Sequence, residues 1–249
     1  MKIFETHAHL NFPQFKDDRS QLLKKCFDSG IEYIINIGLD EETCLESIKL
    51  AETYDRVFAT VGYHPHDAEK YDEAVLRKLA KHPKVVAIGE TGLDFYRNRS
   101  PKEVQLKAFE AQIKLAIELD LPLVVHDRDA HEECFELLDK YKPKKVVFHC
   151  FSGDEIFAQK VIDKGWHISF TGTITYKNSN YENIIRNIPN DLFFIETDSP
   201  YLSPVPLRGK RNSPLNLRYV IEKIAEIKRI TPKKVAEISF ENALKFFNL

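Results

Sequence analysis

The 249-residue chain is short of several things. It has four cysteines, Cys26, Cys44, Cys134 and Cys150, and no two are spaced as Cys-x-x-Cys. That excludes a disulfide framework and a thiolate zinc site, and suits reduced thiols in a cytoplasmic protein. No stretch of eighteen apolar residues occurs, and no apolar segment with a small-residue cleavage site opens the chain, so neither membrane spanning nor secretion is expected. Charge of one sign is also missing: 36 Lys and Arg against 38 Asp and Glu leave a net −2. A module that binds nucleic acid through side-chain cations alone is usually basic, so any phosphate chemistry here would lean on bound metal. Only nine glycines are present. None falls in Glu5-Thr6-His7-Ala8-His9, where a dinucleotide-binding fold would place its glycine-rich phosphate loop.

What is present is enough to build a large core. Hydrophobic residues make up 43% of the chain and charged residues 30%, which excludes disorder. Short apolar runs rich in Ile, Val and Phe recur, with little polar alternation, as in strands covered on both faces. They fall at Lys2–His7, Tyr33–Gly38, Val57–His64, Val85–Thr91, Pro122–Asp127, Lys145–Phe151, His167–Gly172 and Leu192–Asp198. Amphipathic segments lie between them. Ser100-Pro101-Lys102-Glu103 and Ser152-Gly153-Asp154-Glu155 read as capping boxes, Thr231-Pro232 opens the last helix, and Gly30 and Gly165 end others. Eight strands alternating with about eight helices predict an α/β fold, a (β/α)8 TIM barrel forming a single domain over residues 1–249. Ser199–Asn212 is the longest irregular stretch.

The C-terminal ends of these strands carry unusual side chains for a core. His7 and His9 follow the first strand, His64 and His66 the third, and Glu90 ends the fourth. His126 ends the fifth, His149 the sixth and Asp198 the eighth. In a barrel these ends converge on one face, where active sites are built. Residues two apart on a strand share a face, so His7 and His9 point together. Four of these histidines, His7, His9, His126 and His149, with the two acids make six ligands, more than the three that one catalytic zinc takes from protein. Two divalent cations sharing a carboxylate are therefore expected, with a metal-activated water as nucleophile. Strand four lies between the ends bearing His7/His9 and His126/His149, which makes Glu90 the bridge. His7, His9 and Asp198 go to one metal, and His126 and His149 to the other. Asp198 serves as ligand, as general base, or as both.

These motifs resemble those of the TatD family of metal-dependent hydrolases, a branch of the amidohydrolase superfamily. The resemblance covers essentially the whole chain. It rests on His7-x-His9, Gly62-x-His64-Pro65, Gly89-Glu90-Thr91-Gly92-Leu93-Asp94 and His126-x-Arg128-Asp129-Ala130. It continues in His149-Cys150-Phe151-Ser152-Gly153, Glu196-Thr197-Asp198-Ser199-Pro200-Tyr201-Leu202 and Pro206-x-Arg208-Gly209-Lys210-x-Asn212. The family fold is a (β/α)8 barrel. The resemblance implies a deoxyribonuclease that trims DNA from the 3′ end, preferring single strands or 3′ ends, with RNA a further substrate. It implies metal ligands at His7, His9, Glu90, His126, His149 and Asp198. The family usually begins with Asp-x-His-x-His, and here the first acid is Glu5. That acid is expected to support the ligands from beneath, and the extra methylene moves its carboxylate.

Around the metals, His64 is read as a donor to a phosphate oxygen, as the proton source for the leaving 3′-oxygen, or as a support for the ligands. His66 is read as a surface residue of its loop. Arg128 can grip a phosphate with its planar fork or pair with Asp129 or Asp94. Lys177, Arg208, Lys210 and Arg211 lie in loops expected on the active face, where local cations steer a polyanion. Tyr96 and Tyr201 can stack on a base or pack at the core edge. Imidazole-rich donors suit Zn2+ or Mn2+ better than Mg2+, although a nuclease can use any of the three. Two other functions stay open. One is an amide, lactone or ester hydrolase of a small molecule, for which a closed apolar pocket is expected. The other is a metal-stabilised scaffold without turnover.

Overall fold

The apolar runs become strands because helices cover them outside and packed side chains cover them inside. In the computed structural model, which describes residues 1–249, they are β1 (Ile3–Ala8), β2 (Ile31–Asn36), β3 (Val57–Val61), β4 (Val85–Asp94), β5 (Leu123–Arg128), β6 (Val146–Phe148), β7 (His167–Phe170) and β8 (Phe193–Ile195). All pair in parallel and in chain order. β8 returns to β1 at its far end. His9 N donates to Ser199 O at 2.8 Å and Asp198 N to His7 O at 3.0 Å. Thr6 Oγ1 donates to Ile195 O at 3.1 Å. The barrel is thus closed by the segments that carry three of the expected ligands.

Strand lengths differ from expectation for a polar reason. β4 runs on to Asp94, while β6 stops at Phe148 and β8 at Ile195. Beyond those two short strands His149 N still donates to Val125 O and Glu196 N to Phe170 O, both at 3.0 Å, and left-handed residues at Cys150 and Asp198 then turn the chain.

The helices are α1 (Arg19–Asp28), α2 (Glu41–Thr53), α3 (Glu73–Leu79), α4 (Lys102–Leu119), α5 (His131–Tyr141), α6 (Glu155–Asp163), α7 (Glu182–Asn187), α8 (Leu217–Lys228) and α9 (Pro232–Phe247). Nine form where about eight were expected, because two follow β8. α9 opens on Thr231, whose hydroxyl accepts from Lys234 N at 3.2 Å, as its sequence predicts. It crosses the lower end of the barrel. There Phe240, Phe246 and Phe247 pack with Phe4, Tyr33 and Phe194.

Neither expected capping box forms. Ser100 donates instead to His66 O at 2.9 Å, and Pro101 precedes α4 without a side-chain cap. Ser152 donates to Asp127 O at 3.0 Å, and Asp154 caps α6 by accepting from Phe157 N at 2.8 Å. One serine is drawn to a carbonyl of the turn after β3 and the other to one near the end of β5, so these connections brace the upper face.

Candidate metal centre

The upper face is built outward from β1. His7 and His9, two residues apart, bring their Nε2 atoms within 3.3 Å of each other. Asp198 joins them from the end of β8, with Oδ1 at 3.2 Å from His9 Nε2 and 3.7 Å from His7 Nε2. Its φ of 54° lies in the left-handed region, which Asp tolerates better than most side chains and which often marks functional positions. His149 lies on the other side of His7, ring against ring at 3.9 Å.

Glu90 stands at the centre, almost wholly buried. Its two oxygens face different histidines. Oε2 is 3.3 Å from His7 Nε2 and 3.7 Å from His9 Nε2. Oε1 is 2.9 Å from His126 Nδ1, 3.0 Å from His149 Nε2 and 3.4 Å from His64 Nε2. Gly92 makes room on the same strand: a Cβ there would lie 2.0 Å from His126 O, and its φ of 135° suits glycine.

Three groups of donors lie close enough to hold a cation: His7, His9 and Asp198; His64, Glu90 and His126; and His7, His149 and Glu196. The first is the trio expected for one metal. The second differs from expectation, since His64 sits beside His126, rings 4.5 Å apart, where the sequence paired His126 with His149. His149 nevertheless reaches the same oxygen of Glu90.

A second ring of acids orients these histidines, as carboxylates commonly orient metal-binding imidazoles. Glu196 Oε1 is 3.3 Å from His149 Nδ1 and accepts from Cys150 N at 2.6 Å. Asp94 Oδ2 is 3.3 Å from His126 Nε2, which turns the Nδ1 of that ring toward Glu90. The same oxygen is 2.7 Å from His66 Nε2. His66, read as a surface residue, is only partly exposed, because a 3-10 turn over Pro65–Lys70 folds it back and Ser100 anchors its carbonyl. Sequence reasoning passed over Glu196, Asp94 and His66. The signal for the two acids was strand periodicity: Glu196 is two residues from Asp198, and Asp94 four from Glu90.

Glu5 lies beneath, fully buried. Its Oε1 accepts from His7 N at 3.2 Å and Thr197 N at 2.9 Å, and Oε2 accepts from Thr197 Oγ1 at 2.6 Å. The longer acid spans from β1 to the end of β8 and touches no imidazole nitrogen of the expected ligands. Burial pushes its carboxyl up to about 8, against the pull of the Thr197 hydrogen bonds.

Electrostatics favours cations here. Burial opposes charge on Glu90, yet the imidazoles of His149, His64 and His126 hold it well below the usual carboxylate range. Asp198 is likewise lowered, against burial, by His9 and His7. His126 and His149 are raised despite burial, because each stands between two carboxylates. Burial lowers His7 and His64, while the carboxylates still demand positive charge at the centre. Divalent cations held by imidazole and carboxylate donors meet the same demand, so the residues fit metal.

Of the outlying cations, Arg128 makes no ion pair with Asp129 or Asp94. Its guanidinium lies 4.2 Å from the ring centre of Tyr96, itself exposed. Asp94 is already taken by His66, His126 and Arg97 N. Lys177 and Arg208 line a cavity of about 530 Å3 beside the cluster. Lys210 is exposed. Arg211 is not a free cation, because it holds Asp18 with two nitrogens at 2.8 and 2.6 Å and covers the Phe15 ring. Tyr201 meets Phe12 edge-on and stays half exposed.

Comparison with known proteins agrees with this geometry. The family model described as "TatD related DNase" matches residues 4–248. A metal-dependent hydrolase of Bacillus subtilis, YabD, uncharacterized in its own activity, is 39% identical over 253 residues, covering 99% of both chains. The 3′-5′ ssDNA/RNA exonuclease TatD of Salmonella typhimurium is 34% identical over 258 residues, again with 99% of each chain covered. The crystal structure of YJJV, a TatD homologue from Escherichia coli, superposes with a TM-score of 0.92 at 29% identity over 99% of this chain and 98% of that one. A barrel whose strand ends converge on a buried histidine–carboxylate cluster, matched from end to end by these relatives, belongs to the TatD family of metal-dependent hydrolases.

Proposed function

We propose that this protein is a nuclease that cleaves phosphodiester bonds in single-stranded DNA from the 3′ end, with RNA as a further substrate, using two divalent cations. The observation that carries the reading is the division of Glu90, one oxygen toward His7 and His9 and the other toward His64, His126 and His149. One carboxylate serving two donor groups is what a bridged pair of cations requires. His7, His9 and Asp198 would hold one cation, His126 and His149 the other, with His64 beside the second and Glu90 shared. When bound, such cations lower the pKa of a water and offset the charge of the scissile phosphate.

The chain's own groups do the rest. Asp198, at the rim of the cluster, accepts the proton of the attacking water. His64 is lowered to about 4, by burial above all and then by His126. A ring kept neutral at pH 7 serves as a ligand or a hydrogen-bond donor to phosphate better than as an acid. The Arg128–Tyr96 stack offers a guanidinium edge to a phosphate and an aromatic face to a base. Exposed cations at the mouth favour a polyanion over the small amide, lactone or ester of the alternative reading, which calls for a closed apolar pocket.

Product mapping tests the proposal. A 5′-labelled single strand incubated with the protein and Zn2+, Mn2+ or Mg2+ is expected to shorten stepwise from its 3′ end. An intact strand with all three cations, together with turnover of a small amide or lactone, would favour the alternative. Bound metal without turnover of anything would make the protein a scaffold.

A further inference from the structure

Beside the metal cluster, the loops after β6, β7 and β8 border a separate open cavity of about 530 Å3, lined mainly by polar side chains. That volume lies within the range of roughly 300–1,000 Å3 usual for small-ligand sites. None of the residues that could hold a metal lines it. Its wall starts at Ser152 and Gly153, three and four residues beyond His149. A run of side chains links the two places: Thr173 in the wall is 2.9 Å from Thr171, hydroxyl to hydroxyl, and Thr171 is 3.6 Å from Cys150 Sγ, next to His149.

Lys177 and Arg208 supply the charge. Cations nearby are spoken for, Arg211 by Asp18, Lys160 by Glu132 and Arg186 by Glu182, whereas these two have no acidic partner. Arg208 is already oriented, its guanidinium 4.1 Å from the ring centre of Tyr176. Stacking covers one face and leaves the N–H edges for two oxygens of a phosphate. The one acid in the wall, Asp154, is spent on capping α6, where the helix N-terminus offsets its charge.

We infer that this cavity is a second subsite, which holds one nucleotide unit of the substrate strand by a phosphate that is not cleaved, gripped between Lys177 and Arg208. The inference rests on the nuclease reading and adds a place where the strand is held apart from the metals.

Binding tests it directly. The metal-loaded protein is titrated into a fluorescein-labelled octathymidylate with phosphorothioate linkages, which resist cleavage, and anisotropy is read over a range of salt. Lys177→Gln with Arg208→Gln is expected to weaken binding about tenfold and to flatten the salt dependence. Each neutralised phosphate contributes roughly 0.7 to the slope of log K against log salt for single strands, and the two side chains share one phosphate, so the double variant should lose about 0.7. Both side chains lie at the surface, and unchanged melting temperature and metal content verify the fold. Thymidine 5′-monophosphate should displace the labelled strand from wild type at least fivefold better than inorganic phosphate. Equal displacement makes the cavity an anion site only and overturns the nucleotide assignment. A wild type that cleaves DNA while the double variant binds with unchanged affinity and slope overturns the subsite alone. A wild type that neither binds nor cleaves single strands overturns the nuclease reading and the subsite with it.

Discussion

At its upper end the barrel packs His7, His9, His64, Glu90, His126, His149 and Asp198 into one buried cluster. At its lower end the same sheet carries Phe4, Val86, Val124 and Phe194 against Phe246 and Phe247 of α9. Both ends are largely buried, with opposite consequences. Burial of the lower end is favourable by itself, at about 25 cal/mol for each Å2 of apolar surface removed from water. Burial of the upper end is costly unless each charge has a partner, and a partner of the wrong kind leaves the rest unpaired. His149, buried, and His167, partly buried, sharpen the contrast. His149 is drawn toward protonation by Glu90 and Glu196. His167, stacked on Phe194 at 4.7 Å and edge-on to Phe246 at 4.9 Å, is lowered to about 4 by burial. His149 stands between two carboxylates, whereas His167 lies among aromatic rings.

The largest expected effect breaks the upper end alone. Glu90→Gln removes the shared charge, and kcat/KM on single-stranded DNA is expected to fall by about 10^3-fold or more, a loss of about 4 kcal/mol in transition-state stabilisation. Bound metal measured on the purified variant should drop to one ion or none. Activity within tenfold of wild type would remove Glu90 from the bridge.

Breaking the lower end should leave chemistry intact. Phe194→Ala is expected to cost about 4 kcal/mol of folding stability in urea denaturation, since Phe194 is fully buried among aromatic rings. Metal content and turnover per folded molecule should hold. A loss of metal without a loss of stability would show that the two ends are not separable in this way.

The smallest effect concerns pH. The folded-state pKa of His167 lies near 4, below the ordinary 6.5, so the folded chain keeps this ring neutral where the unfolded chain protonates it. Its stability contribution is complete above pH 6.5, declines as pH falls toward 4 and levels off below. The decline is about 2 kcal/mol, discounted for partial solvent access. The stability difference between wild type and His167→Phe should therefore change across that window and stay flat outside it. A constant difference from pH 7 to 4 would mean that His167 titrates normally.

Legibility along the chain followed the range of the interactions. The strands stood out because two-sided burial writes Ile, Val and Phe into short local runs, and their ends stood out because His7, His9, Glu90, His126, His149 and Asp198 interrupt those runs. Ser100 and Ser152 misled, since a serine near a helix start can serve the local amides or a distant carbonyl, and here His66 O and Asp127 O took them. Asp94 and Glu196 were passed over because their partners, His126 and His149, come from other strands, 32 and 47 positions away. Arg211 looked like a free cation until the fold brought Asp18 to it from 193 positions away.

By itself the sequence determined the alternation of strands and helices and the side chains that end each strand, because periodicity and strand ends are local properties. Tertiary structure alone decided which oxygen of Glu90 faces which histidines, that His64 stands beside His126 and His66 against Asp94, and that Glu5 reaches Thr197, 192 positions along the chain. Those choices depend on where β8 meets β1 when the barrel closes, and no local pattern records that junction.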